Sequence, residues 1–202
     1  MQNRFTISNI FLFLSVVATL AATVFSDFNI YFNWGVNSYF LEEGNYIHFI
    51  LQFFTGTFLH GGILHLAMNS IFILYFGNIV EIMLGRKKYI TFFLFTVIFI
   101  GIGLALFVPY QNTVGISGFA LALLTYYTLE LWGQKNPEYT GGITAIILNV
   151  GIGFYPGISL YGHLFGVIAG VIFYFFHRNF FGKQEIGFMK NYKKFIKKIP
   201  KA

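Results

Sequence analysis

The sequence predicts an all-α polytopic membrane protein with six transmembrane helices and no sheet. Three observations carry the prediction. The chain is 56% hydrophobic and 10% charged, against about 25% charged residues in a soluble domain. Its apolar stretches approach the roughly 20 residues needed to cross a hydrocarbon core of about 30 Å. All 13 Lys and Arg fall on one side of the membrane when six spans are drawn, as the positive-inside rule requires of a cytoplasmic face.

The first span is read over 5–25, behind Arg4. Its apolar run exceeds the roughly 7–15 residues of a signal-peptide core, so it reads as a retained helix, with a cleaved leader as the competing reading. The connection 26–57 follows outside and mixes Tyr31, Phe32, Trp34, Tyr39 and Phe40 with Asp27, Glu42 and Glu43. Tyr and Trp favour headgroup depth; an ordered aromatic-belt loop and direct substrate contact both fit. Spans two to four are read over 62–83, 89–108 and 115–132. The fifth, 141–154, is short and interrupted by Gly151 and Gly153, each costing about 1 kcal/mol against Ala in a helix. The sixth is 158–177. Arg4, Arg86-Lys87-Lys88, Lys135, Arg178 and the later lysines then lie inside with both termini.

Residues 1–180 therefore form one transmembrane domain and 181–202 a basic tail. In the tail, Phe188, Met189, Tyr192, Phe195, Ile196 and Ile199 recur at helical spacing, with Lys190, Lys193, Lys194, Lys197 and Lys198 on the other face. That pattern suits a helix lying on an anionic leaflet; a solvated charged tail is the alternative. There are no cysteines, which excludes disulfides and thiolate chemistry. The net charge of +6 is explained by topology, and nucleic acid is not an expected partner.

Polar groups at membrane depth mark functional sites. Ser117 stands in Gly115-Ile116-Ser117-Gly118 at the head of the fourth span, where free N–H groups and the helix dipole favour a developing anion. His65 and Asn69 are four apart on the second span and share one face. His163 opens the sixth span, and Gly166 with Gly170 forms a GxxxG face suited to close helix packing. The second, fourth and sixth spans run in one direction, so these groups reach one depth in the outer leaflet. A hydroxyl and an imidazole within reach make a nucleophile and a general base; His65, Asn69 and the Ser117 backbone are candidate oxyanion donors. Glu130 stands 13 residues beyond Ser117, about 20 Å along the helix. Glu81 is farther still from His65, so a Ser–His dyad is expected rather than a triad. His60, lacking an Asn four residues on, reads as interfacial, as do His48 and His177. A zinc site of His60, His65 and His163 and a transporter are the competing readings; no metal-binding helix signature or inverted repeat supports either, and no cofactor or metal is expected.

These residues resemble the rhomboid family of intramembrane serine proteases over about 52–174. The resemblance rests on His65-Leu-Ala-Met-Asn69, preceded by Phe58-Leu59-His60-Gly61-Gly62 and followed by Glu81-Ile-Met-Leu-Gly85. It rests also on Gly115-Ile116-Ser117-Gly118 and on His163 with Gly166 and Gly170. It implies a rhomboid-like bundle and a nucleophile at Ser117. It further implies a base at His163 and oxyanion partners at His65, Asn69 and the Ser117 backbone. Single-pass transmembrane proteins would be cleaved near their outer ends, with the fifth helix and outer loops gating their admission. A pseudoprotease that escorts membrane helices is the alternative. The chain departs from known members at Leu51-Gln52, Met83 and Leu121, where Trp-Arg, Arg and Tyr occur. The compact six-span form suggests a bacterial inner membrane; the oligomeric state stays open.

Overall fold

Residues 6–25 and 28–196 are described by a computed structural model, with side chains for 6–25 and 29–180. The fold is all-α. Helix α1 (Ile7–Phe25) is followed by three short outer helices, α2 (Phe28–Trp34), α3 (Tyr39–Glu42) and α4 (Tyr46–Phe58). The second span is α5 (Ile63–Phe72) and α6 (Asn78–Leu84), joined without a break by a π-helical turn, Ile73–Gly77. Then come α7 (Arg86–Phe107), α8 (Ser117–Gly133), α9 (Tyr139–Gly151) with a 3-10 turn to Phe154, and α10 (Leu160–Ile196). Among the described residues the only β feature is a bridge between Val36 and Thr113.

The helices occur where hydropathy placed the six spans. Four are long and apolar enough to cross a membrane: Ile7–Phe25, Ile63–Leu84, Arg86–Phe107 and Leu160–Phe180. The other two are shorter, α8 with 17 residues and α9 with 13. Helix α8 tolerates its shortness because protein surrounds it: eleven of its residues are buried. Most of its length is thus covered by protein instead of lipid, the condition under which irregular backbone is tolerated at membrane depth. The expected sixth span continues unbroken to Ile196; the two faces expected of the tail lie outside the described side chains.

Small residues fix the centre of the bundle. A methyl group built on Gly118 would stand 2.9 Å from the Gly162 carbonyl oxygen, and one on Gly170 would stand 2.7 Å from that of Ala122. One on Gly166 would collide with the Gly118 carbonyl. Further down, Tyr126 OH meets His177 Nδ1 at 2.9 Å, and Arg178 packs over Gly133. The contact positions rise together along both chains, so α8 and α10 run parallel in backbone contact. Lipid offers no hydrophobic drive between helices, which makes such close packing the main cohesive term. Around this pair the core is aromatic, with Phe92 stacked on Phe173 at 4.2 Å and Phe93 tilted against Phe11 at 4.2 Å.

Two polar ties set the first span. At one end the Glu81 carboxylate accepts from Ile7 N, Ser8 N and Ser8 Oγ, each at 3.0 Å. It thereby satisfies N–H groups that every helix start leaves free. At the other end Thr19 Oγ1 lies 3.3 Å from His60 Nδ1. Helix α1 is thus antiparallel to the second span. Arg86 lies 3.9 Å from Glu81, Lys88 3.2 Å from His177, and Arg178 over Gly133, so these basic residues gather at one end of the bundle.

The connection 26–57, expected as a loop, holds helices α2, α3 and α4. Its apolar residues have no long periodic run, because they pack inward on the bundle and on one another; Phe49 and Phe53, for instance, are buried. Gln52, one of the departures noted above, is fully buried and donates to Asn33 O at 3.1 Å and Phe32 O at 3.4 Å. It therefore anchors this outer layer. His48 is half-buried, 2.7 Å from Asn33 O and stacked on Phe40.

Gly166→Ala should destabilise the bundle by about 1–3 kcal/mol, the usual cost of overpacking. At Gly141, where nothing lies within 4 Å of the added methyl, Ala should be neutral or stabilising by up to about 1 kcal/mol. Thermal unfolding of both variants in one detergent checks the contrast. Glu81→Ala should cost about 1–3 kcal/mol by orphaning buried donors of α1, read in the same assay.

Candidate active site

The segment leading into α8 is stitched to the outer layer before it turns into the helix. Val36 N donates to Thr113 O and Thr113 N to Val36 O, both at 2.9 Å. Gly115 N then donates to Gly56 O at 2.9 Å. Gly115 has φ +122°, a conformation that side chains disfavour. A methyl there would also stand 2.8 Å from His65 Cε1 and 3.8 Å from Asn69 Nδ2. Glycine is required twice over: for the turn, and for seating the backbone against His65 and Asn69.

Ser117 is the first residue of α8, and Ala120 N is the first amide to close back, onto Ile116 O at 2.9 Å. The N–H groups of Ser117, Gly118 and Phe119 therefore have no partners within their own helix, as at every helix start. Asn69 Nδ2 adds another donor. It is buried and has no hydrogen-bond partner. A buried donor left unpaired costs about 1–3 kcal/mol, and Asn69 lines the same cavity as Ser117.

Ser117, His65, Asn69 and His163 line one cavity of about 560 Å³. Its floor is α8 and the start of α10; its walls are α5 and the end of α9 with the following turn. The cavity opens where exposed Leu64, Met68, Ile152 and Tyr155 form its rim. The site residues expected from sequence are thus brought together. Gly118, Gly166 and Gly170 are the α8–α10 contact itself. Among the described residues no hydrogen bond joins Ser117 to His163. His163 is buried, and its Nδ1 lies 2.7 Å from the Asn149 carbonyl oxygen. A carbonyl only accepts, so Nδ1 carries the proton and Nε2 keeps its lone pair. That is the tautomer a general base needs.

Two expectations are corrected. His60 is not interfacial: it is fully buried, edge-on to His65 at 5.1 Å, with Nε2 accepting from Ile116 N at 3.5 Å. Its ring ties α1, through Thr19, to the residue preceding Ser117. His177 is likewise buried, bonded to Tyr126 and Lys88. In both cases hydropathy indicates depth along the chain but not which neighbour covers the ring. Sequence reasoning also missed Asn149, because its contribution is a main-chain carbonyl and carries no residue-type signal. Glu81 caps α1 at the end of the second span, 16 residues on from His65, in keeping with its exclusion as a triad member. Leu121 lines the cavity without a polar group.

Comparison with known proteins bears on the whole bundle. A profile of the rhomboid domain matches residues 48–180. A putative rhomboid protein of Acanthamoeba polyphaga mimivirus is 30% identical over 133 residues, covering 61% of this chain and 73% of that protein. Rhomboid-like protease 3 of Toxoplasma gondii is 29% identical over 125 residues, 58% of this chain and 48% of its own length. RHOMBOID-like protein 4 of Arabidopsis thaliana is 28% identical over 122 residues, 57% of this chain and 31% of its own. The chain thus spans less than half of the plant and Toxoplasma proteins. With the profile covering the helices from α5 to residue 180 of α10 and the motifs on them, this multi-pass helical chain belongs to the rhomboid family.

Proposed function

We infer that the protein is a serine endopeptidase that cleaves transmembrane-helix substrates near their outer ends. The observation that carries this is the shared cavity: Ser117, His163 and an unpartnered buried Asn69 amide face one space of about 560 Å³. Family membership supports it, as does the protease name of the Toxoplasma relative. In this reading His163 Nε2 takes the Ser117 proton as Oγ attacks the scissile carbonyl. The developing oxyanion is held by Asn69 Nδ2, His65 and the first N–H groups of α8. The proton then passes from Nε2 to the leaving amine, and water resolves the acyl-enzyme by the same route in reverse. A void of about 30 Å³ beside Ser117 is lined by Thr57, Thr113 and Ser159. It has room for one water with polar partners.

The orientation follows the basic residues: the end bearing Arg86, Lys88 and Arg178 faces the cytoplasm, and the Ser117 end faces out. Both termini then lie inside. A bacterial inner membrane rests only on the compactness of the form, and the relatives named above are viral and eukaryotic.

Ser117→Ala and His163→Ala should each abolish cleavage of a fluorogenic transmembrane peptide in liposomes, and Ser117→Ala should abolish fluorophosphonate labelling. Wild-type turnover equal to that of Ser117→Ala would end the protease reading, and an unlabelled, inactive wild type would favour the escort protein. Asn69→Ala should raise the barrier by about 2–4 kcal/mol through loss of one oxyanion donor. His60→Ala, which strands the Ile116 N–H and Thr19 hydroxyl, should lower stability by about 1–3 kcal/mol. Its kcat should fall while the fold survives, as measured by turnover beside thermal unfolding.

A further inference from the structure

The geometry points to the main-chain carbonyl of Asn149 as a positioning group for His163, so that the imidazole is competent only while α9 is seated against α10. This rests on the Ser117–His163 reading above and adds a third participant from a different helix.

Asn149 stands in the last turn of α9, two residues before its end at Gly151. Carbonyls in a last turn lack the amide that would follow them in a continuing helix. Here the backbone tightens into a 3-10 turn, with Ile152 N bonding Leu148 O and Val150 O. The oxygen between them, that of Asn149, meets His163 Nδ1 at 2.7 Å. The Asn149 side chain is not the contact: its Nδ2 donates to Ala145 O at 2.8 Å, within its own helix. No carboxylate lines the cavity, and Leu121, also on its wall, offers the imidazole no hydrogen bond. The carbonyl therefore does what the acid of a Ser–His–Asp triad does: it holds Nδ1–H, fixes the tautomer and turns Nε2 to the nucleophile.

The proton balance is simple. Nδ1 keeps its proton throughout, donated to Asn149 O. Nε2 takes the Ser117 proton as the Oγ–C bond forms, and gives it to the amine as the C–N bond breaks. It then takes a water proton during deacylation and returns it to Oγ. When Nε2 is protonated the ring is cationic, and the carbonyl dipole at Nδ1–H stabilises that charge.

Helix α9 is a suitable control element because its side chains are not enclosed by the bundle. None of its residues is buried, and its main packing partners are α8 and α10. Moving it outward removes the acceptor from His163 and widens the cavity between α9 and α5 in one step. The geometry that admits a bulky substrate is thus the one in which the base is disarmed, and reseating α9 arms it.

The test replaces the acceptor without altering any side chain. Val150→2-hydroxyisovalerate converts the bond after Asn149 to an ester, whose carbonyl is a poorer acceptor. Gly151→glycolate does the same to the neighbouring Val150 carbonyl and costs α9 one amide in the same way. The expected result for the first is a kcat about tenfold lower with KM unchanged, because the ester carbonyl weakens the orienting bond without removing it. Nitrogen NMR of histidine-labelled protein should show His163 protonated at Nδ1 in the wild type and a tautomer mixture in the first variant, with the His163→Ala spectrum giving the assignment. The glycolate variant should match the wild type in both. An unchanged tautomer and kcat in the first variant, or equal losses in both, would overturn the proposal. The nitrogen signals report the Asn149 bond even if the wild type fails to cleave, which separates this inference from the protease reading.

Discussion

Everything in this molecule depends on two helices touching backbone to backbone. Gly118 lies under the Gly162 carbonyl, Gly166 against Gly118, and Gly170 against Ala122. A side chain at any of these positions would push α10 away from α8. In water, apolar burial would compensate for some looseness; between membrane helices it does not, and dispersion at close range has to supply the cohesion. The same contact sets the register that places positions 117 and 163 on one cavity. Packing and chemistry are thus constrained by one row of missing side chains.

The site is polar where the surrounding membrane would favour apolar groups, and most of that polarity is paired. His60 links α1 to the backbone before Ser117, Gln52 holds the outer helices, and Glu81 closes the opposite end of α1. These are structural uses of groups that are costly to bury alone. Asn69 differs in keeping a buried donor unpaired.

The outer layer has its own place in this economy of contacts. Helices α2 to α4 do not span the bundle, yet the Val36–Thr113 bridge and the Gly115–Gly56 bond fasten the strand-like approach to Ser117. A helix start fixed in this way presents its free N–H groups at a defined point. The short α8 depends on it, because a start below the outer surface leaves groups that lipid would not satisfy.

Much was legible from sequence alone. Hydropathy and the one-sided basic residues give the helical spans, since both reflect the cost of placing charge or unpaired backbone in hydrocarbon. The spacing His65–Asn69, the glycines around Ser117 and the His163–Gly166–Gly170 run mark the candidate site, and helical periodicity puts His65 with Asn69, and His163 with Gly166 and Gly170, on one face each. What the tertiary structure decided is how those faces meet. It folded 28–58 into helices whose short apolar stretches lack a readable period, buried His60 and His177, and gave the Glu81 carboxylate to the amides of α1. It also supplied the imidazole with a partner from the backbone of α9. A carbonyl is the same at every residue, so which one reaches His163 is set only by the packing of whole helices.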